Sequence, residues 1–314
     1  MPRLLATQSH VVHGFVGNKA ATFPLQCYGW DVDCCNSVQY SNHTGYGMHK
    51  VFGNITEEKD LDQLLSGVLA NFANDYEALL SGYLPKKESV RCMGQHYTAY
   101  KRENPNSVWL MDPVMGDEGQ LYVEEDVIEE YRKLALSSHS DVDIMTPNHF
   151  ELEIICGKSI DTVDQLKSVL QELHETVPVV IVTSCDEKIF SDPHHVYCVA
   201  SMKGNAPVVL RVPLIKSYFT GVGDLFSALL LDRVYKLLSL SDEGLKLEHQ
   251  VNDVLNVIQG VLKITLAYAP KNHTAKIGNA VDMKNAELRI IESRHLFSED
   301  VATESKQNFI YREL

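Results

Sequence analysis

The sequence predicts an α/β fold: a doubly wound, mostly parallel central sheet with helices on both faces, formed by residues 1–314 as one domain. Three observations lead there. Short apolar runs rich in β-branched residues and bounded by turn formers read as buried parallel strands. Segments with helical apolar periodicity alternate with them, which implies right-handed βαβ units. The strands also run into similar polar clusters, as they do where an open sheet presents its carboxyl ends to a ligand.

The elements follow in order. Residues 4–7 form a first apolar strand running into Gln8, Ser9 and His10. Leu61, Leu64, Leu65, Val68, Leu69, Phe72 and Leu79 keep a rhythm near 3.6 residues and predict one long amphipathic helix. Strands at 108–111, 142–145 and 179–182 alternate with helices at 124–138 and 162–177. Residues 195–202 and 207–213 read as a hairpin, and 223–238 and 245–268 as two further helices. The last 40 or so residues are charged and irregular, and little is assigned there.

Composition excludes several classes. An apolar fraction of 45% and a charged fraction of 22% are those of an ordinary globular protein. With 28 Lys plus Arg against 42 Asp plus Glu, the net charge of -14 argues against nucleic acid or an anionic membrane as partner. Any phosphate must therefore be held locally, by backbone amides, a few cations and metal. Seven cysteines without a C-x-x-C point to a reducing compartment. The N-terminus is too short in apolar length for a signal peptide, so a cytoplasmic location is expected, with nuclear access possible. The glycosylation sequons at Asn42, Asn54 and Asn272 then carry no weight.

The chemistry gathers at the strand ends. Asp112 to Asp117, Thr146 to Glu151 and Thr183 to Asp186 follow three of the strands, and a Thr220-Gly221-Val222-Gly223-Asp224 turn opens a strongly apolar helix. Gly221 and Gly223 are expected to let the backbone turn so that successive N–H groups point at one spot. Asp224 reads either as a helix cap complementing the macrodipole or as a base beside an anion hole. Asp112, Asp117 and Glu151 are carboxylates suited to Mg²⁺, and Asn148, Thr183 and Ser184 are donors suited to phosphate oxygens. Neither a Walker A sequence nor a strand-linked G-x-G-x-x-G occurs, which leaves phosphoryl transfer by positioning and electrostatics. His10 and His13 precede a Gly-rich turn and read as loop hydrogen-bonders, while His43 and the His194-His195 pair lack carboxylate or cysteine neighbours at ligand spacing, so zinc is not expected.

Several blocks carry a family likeness: Gln8 through Gln26, Asn36 through Tyr46, Ser81 through Tyr83, Asp112 through Asp117, Thr146 through Asn148 with Glu151, Thr183-Ser184, and Gly221 through Phe226. On these, over residues 3–235, the chain resembles a pyridoxal kinase of the ribokinase-like superfamily. The resemblance implies ATP-dependent phosphorylation of the 5′-hydroxymethyl group of pyridoxal, pyridoxine or pyridoxamine. Asp224 would be the base, and the amides of Gly221, Val222, Gly223 and Asp224 the anion hole. Ser9 and Thr44 would hydrogen-bond the pyridine ring and its substituents, with Val16 and Tyr83 packed on its face and Tyr122 on a loop above. Asp117 and Glu151 would serve Mg²⁺, while Asp112, Thr146 and Thr183 would hold K⁺ or Na⁺. Asn148, Thr183 and Ser184 would contact phosphate beside Asp112 and Glu151, with Ile215, Lys216 and Ser217 at the nucleotide edge. A homodimer is implied as well.

Two departures stand out. Val222 replaces the family's usual threonine, and the segment 117–120 is shorter than in some relatives. Two rival readings remain: a hydroxymethylpyrimidine kinase of the same superfamily, and a catalytically weak relative that binds pyridoxal phosphate.

Overall fold

A computed structural model describes residues 1–240, 245–270, 277–298 and 306–314. The chain begins with β1 (Arg3–Val11), α1 (Asn18–Cys27), β2 (Asp31–Tyr40), β3 (Gly53–Ile55), α2 (Glu58–Asn71) and β4 (Ala78–Ser81). There follow α3 (Lys87–Glu103), β5 (Val108–Met111), a small hairpin of β6 (Gly116–Asp117) and β7 (Gln120–Leu121), α4 (Glu125–Leu136), β8 (Ile144–Met145) and α5 (His149–Cys156). The second half holds α6 (Val163–Leu173), β9 (Val179–Cys185), α7 (Glu187–Phe190), β10 (His195–Met202), β11 (Val208–Pro213) and α8 (Val222–Leu240). It closes with α9 (Leu247–Tyr268), α10 (Ala280–Ala286) and β12 (Ile310–Glu313).

Among the described residues ten strands form one sheet in the order β12-β11-β10-β9-β8-β5-β4-β1-β2-β3. The run from β9 to β2 is parallel throughout, while β3 at one edge and β10, β11 and β12 at the other are antiparallel. Successive residues of each central strand feed opposite cores, because side chains alternate across a sheet. Leu4, Ala6, Leu80, Leu110, Ile144 and Ile181 pack on one face with α1, α8 and α9. Leu5, Leu79, Trp109, Met145 and Val180 pack on the other with α2 to α6. The doubly wound arrangement with helices on both faces is therefore present. Because the chain passes from β1 outward to β2 and then back across to β4, the order reverses at β1, the point where an open α/β sheet offers a ligand the carboxyl ends of its strands.

Some boundaries differ from the sequence reading. The long helix expected through Leu79 stops at Asn71, and Leu79 lies in β4, whose four residues are all buried. A short, fully buried apolar run has no periodicity by which to tell strand from helix. The first strand runs on to Val11 rather than stopping at Thr7, so Gln8, Ser9 and His10 lie within it. The third strand is only Ile144–Met145. The charged tail contributes Leu288, Ile290, Phe297 and Phe309 to the core and β12 to the sheet edge. The sequon at Asn272 lies outside the described residues. Among the described residues no helix is long and apolar enough to cross a membrane.

Candidate active site

The site grows from the start of α8. Gly221 has φ +86°, and a Cβ there would fall 2.0 Å from the Phe15 carbonyl oxygen, so the turn into the helix passes directly over the 14–17 loop. Gly223 departs from the sequence reading. It is already helical, without positive φ, and a Cβ on it would meet nothing within 4 Å. Only Gly221 is required by the turn. Gly223 instead keeps the space beside a helix N-terminus clear of any side chain, which suits an anion. Val222, the first residue of α8, sits half-buried between them.

Asp224 lies in the first turn of α8. Burial pushes its carboxyl pKa above the usual carboxylate range, opposed by a hydrogen bond from the Gly17 backbone and by the nearby His43. Gly17 itself has φ +52°, and a Cβ there would lie 2.1 Å from the Ser9 carbonyl oxygen. Ser9 falls where the β1–β2 register shifts between Gln8 and His10, an irregularity that re-aims a side chain at a strand end. Ser9, Gly17 and Asp224 thus form one continuous wall.

A second group lines the opposite rim. Asp112, just past β5, is 5% exposed and accepts a 2.9 Å hydrogen bond from Ser227, whose hydroxyl lies 2.9 Å from that of Thr146. Burial and the neighbouring Glu151 and Asp224 carboxyls push Asp112 well above its ordinary range. Glu151 closes a capping box with Asn148: Asn148 Oδ1 accepts from the Glu151 N–H, while Glu151 Oε2 accepts from the Asn148 N–H. Glu151 Oε1 accepts a further 3.0 Å bond from the Met115 N–H. Burial, only partly opposed by these N–H groups, pushes its carboxyl up to about 8. Asp117 stands exposed on the β6–β7 hairpin, next to Glu118 at φ 48°. Tyr122, just past that hairpin, is 54% exposed.

The remaining candidates are placed as follows. Val16 is 7% exposed and Ser9 8%, Tyr83 is half-buried after β4, and Thr44 is exposed in a short turn at Thr44–Tyr46. Burial pushes the Tyr83 hydroxyl up to about 12. Thr183 and Ser184 lie in the last residues of β9, half-buried. The Thr183 hydroxyl faces the Pro147 carbonyl oxygen at 3.5 Å. Ile215, Lys216 and Ser217 follow β11 in a tight turn closed by the Ser217 N–H on the Ile215 carbonyl. Two buried polar atoms beside these walls have no partner among the described residues: Gln8 Nε2 and Thr220 Oγ1.

Sequence reasoning missed Ser227, Gly17 and Glu287. Ser227 was recoverable, because it stands three residues after Asp224 on the same helix face. Gly17 lay inside a noted block with nothing to mark its contact with Ser9. Glu287 belongs to the tail that offered no signal.

A doubly wound sheet with a helix N-terminus open to an anion, a carboxyl in that helix's first turn and an acidic rim facing it defines a ribokinase-like small-molecule kinase. Residues 25–242 match the family model described as phosphomethylpyrimidine kinase. Along nearly the whole chain, however, the named relatives are pyridoxal kinases. The Bos taurus pyridoxal kinase is 36% identical over 309 residues, covering 93% of this chain and 94% of that one. The BUD16 protein of Saccharomyces cerevisiae is 69% identical over 297 residues, 95% of each. Pyridoxal kinase from Leishmania donovani, solved in complex with ADP and pyridoxamine, superposes with a TM-score of 0.81 at 30% identity, covering 100% of this chain and 99% of that one. The chain belongs to the pyridoxal kinase family.

Proposed function

We propose that this protein transfers the γ-phosphoryl group of ATP to the 5′-hydroxymethyl group of pyridoxal, pyridoxine or pyridoxamine, releasing ADP and the 5′-phosphate. One observation carries the reading: the Asp224 carboxyl sits one residue from the bare, open backbone of Gly223, so base and anion hole share one helix turn.

In this reading the acceptor ring lies against Val16 and Tyr83 with its polar edge toward Ser9 and Thr44, and Tyr122 stands over it. Asp224 takes the hydroxyl proton on its carboxylate as the alcohol oxygen bonds to the γ-phosphorus. The bond from that phosphorus to the β–γ bridging oxygen breaks, and ADP leaves. The N–H groups of Gly221, Val222, Gly223 and Asp224 receive the charge that develops on the phosphoryl oxygens. Asn148, Thr183 and Ser184, with Asp112 and Glu151 nearby, border the phosphates, and Ile215, Lys216 and Ser217 the nucleotide.

The acidic rim fits cations. Among the described residues neither Asp112 nor Glu151 has a Lys or Arg partner, and burial pushes both carboxyls up, so a metal ion would relieve both. Glu151 already accepts backbone N–H groups on both oxygens, so it would serve Mg²⁺ through water, with Asp117 the more exposed ligand. Bound there, Mg²⁺ supplies charge neutralisation at the phosphates. Asp112, Thr146 and Thr183 suit K⁺ or Na⁺. A homodimer in the cytoplasm, with access to the nucleus, completes the reading.

ADP release by the purified protein, measured with each vitamer and with hydroxymethylpyrimidine, tests it. Turnover with the vitamers, abolished by excess EDTA and restored by Mg²⁺, is expected. Turnover with hydroxymethylpyrimidine alone selects the rival kinase. Binding of pyridoxal phosphate with no turnover selects the carrier, which needs no base.

A further inference from the structure

Glu287 stands just past α10, in the tail that carries no motif, yet its side chain is 6% exposed and reaches the 14–17 loop and the 43–46 turn. Its Oε1 lies 3.1 Å from His43 Nε2 and accepts a 3.0 Å hydrogen bond from the Tyr46 hydroxyl. Its Oε2 accepts the Phe15 N–H at 3.1 Å. His43 Nδ1 in turn accepts the Gly45 N–H at 3.2 Å, which leaves Nε2 to carry its hydrogen toward Glu287. The Glu287 backbone also bridges Thr220, next to the anion hole. The 14–17 loop runs so close over the carboxylate that a Cβ on Gly14 would fall 2.3 Å from Oε1. Beside this contact the Gly278 N–H bonds the Gly45 carbonyl oxygen at 2.8 Å, and Lys50 Nζ bonds the Gly278 carbonyl oxygen.

Three of these partners adjoin a residue of the proposed site: Phe15 precedes Val16 and Gly17, His43 precedes Thr44, and Thr220 precedes Gly221. We infer that Glu287 is a positioning residue for phosphoryl transfer, holding His43 and the 14–17 loop so that Asp224 and the acceptor hydroxyl are aligned. The inference rests on the reading of the site as a pyridoxal kinase. Stability alone does not call for such a group, because a buried ion pair is commonly replaceable by apolar side chains at no loss. The carboxylate instead ties the 14–17 loop and the 43–46 turn to its own segment, whose backbone meets Thr220. His43 also lies near enough to Asp224 to oppose the upward push that burial gives its carboxyl.

The test compares kcat, the KM for ATP and the KM for pyridoxal in wild type, Glu287→Gln, His43→Gln and the double variant, with thermal stability alongside. Misplacement of a reacting group by about 1 Å costs on the order of 100-fold. Glu287→Gln and His43→Gln should each therefore lower kcat roughly 10- to 100-fold with the ATP KM unchanged, and the double variant should be no worse than the poorer single. A purely structural role predicts lower thermal stability with wild-type kcat in the folded fraction, and that result overturns the inference. If Glu287→Gln does not fold, His43→Gln leaves the carboxylate bonded to Phe15 and Tyr46 and carries the same expectation; wild-type kcat in that variant is equally fatal. A wild type that releases no ADP with any vitamer removes the functional reading and this inference together. A turning-over wild type beside variants of equal kcat removes the inference alone.

Discussion

Ser227 donates a 2.9 Å hydrogen bond to Asp112 from the same face of α8 that carries Asp224 one turn earlier. One helix therefore holds both the proposed base and the support of the acidic rim opposite. Ser227 is 2% exposed, and removing one partner of a buried hydrogen bond typically costs about 1–3 kcal/mol. Ser227→Ala should lower stability to chemical denaturation by about that amount and weaken the response of turnover to K⁺ or Na⁺. Loss of less than about 0.5 kcal/mol, the usual range for uninvolved sites, would show that the bond is incidental.

The two glycines of the turn should behave oppositely. Gly221→Ala places a Cβ 2.0 Å from the Phe15 carbonyl oxygen at positive φ, so the protein should be strongly destabilised. Gly223→Ala meets nothing in the protein, and alanine is a better helix former by about 1 kcal/mol, so the thermal midpoint should hold or rise. Yet its methyl would occupy the space assigned to phosphate, and the ATP KM should rise. A Gly223→Ala enzyme with normal ATP kinetics places the phosphate elsewhere.

Removal of Ser9 or Thr44 hydroxyls tests the acceptor wall. A lost hydrogen bond to substrate worth about 1–3 kcal/mol corresponds to roughly a 5- to 150-fold rise in pyridoxal KM. Ser9→Ala, at a buried position, should show the larger effect, and the ATP KM should stay put in both variants. If pyridoxal binds normally and ATP is lost instead, the two halves of the site have been assigned the wrong way round.

The Glu287 carboxyl has its own pH signature. Burial alone would raise its pKa, but His43, the Phe15 N–H and Tyr46 hold it below the ordinary 4.5 in the folded protein. A carboxyl depressed on folding contributes stability that is fully present above its unfolded value and lost as pH falls through the folded one. Wild type should therefore lose more unfolding free energy than Glu287→Gln as the pH drops below about 4.5. Parallel stability curves for the two proteins would show the carboxyl to be unshifted.

What the sequence made legible, and what it did not, has a physical basis. β5 and β9 are short apolar runs between turn formers, and α8 and α9 carry sustained helical rhythm, so each declares itself locally. α1 carries Pro24 in its interior, a residue that normally argues against a helix, and β2 mixes Asp31, Asp33 and Asn36 with apolar residues so that neither period is clean. The polar rim was legible because every parallel strand presents its carboxyl end to the same side of the sheet. Glu287 was not, since its partners Phe15 and Tyr46 lie 272 and 241 residues away in the chain. The tail's apolar residues fall in ones, twos and threes among charges and show no sustained period, although Phe297 and Phe309 are buried.

The most direct measurement is kcat of Asp224→Asn with ATP and pyridoxal, taken with its thermal midpoint and pyridoxal affinity. Asparagine keeps the size and capping ability of aspartate but cannot accept the hydroxyl proton. A general base is typically worth about 10²–10⁴-fold, so kcat should fall by that factor while stability and binding hold. A variant retaining more than about a tenth of wild-type kcat, with a stability change of at most about 1 kcal/mol, would make Asp224 a helix cap and contradict the account.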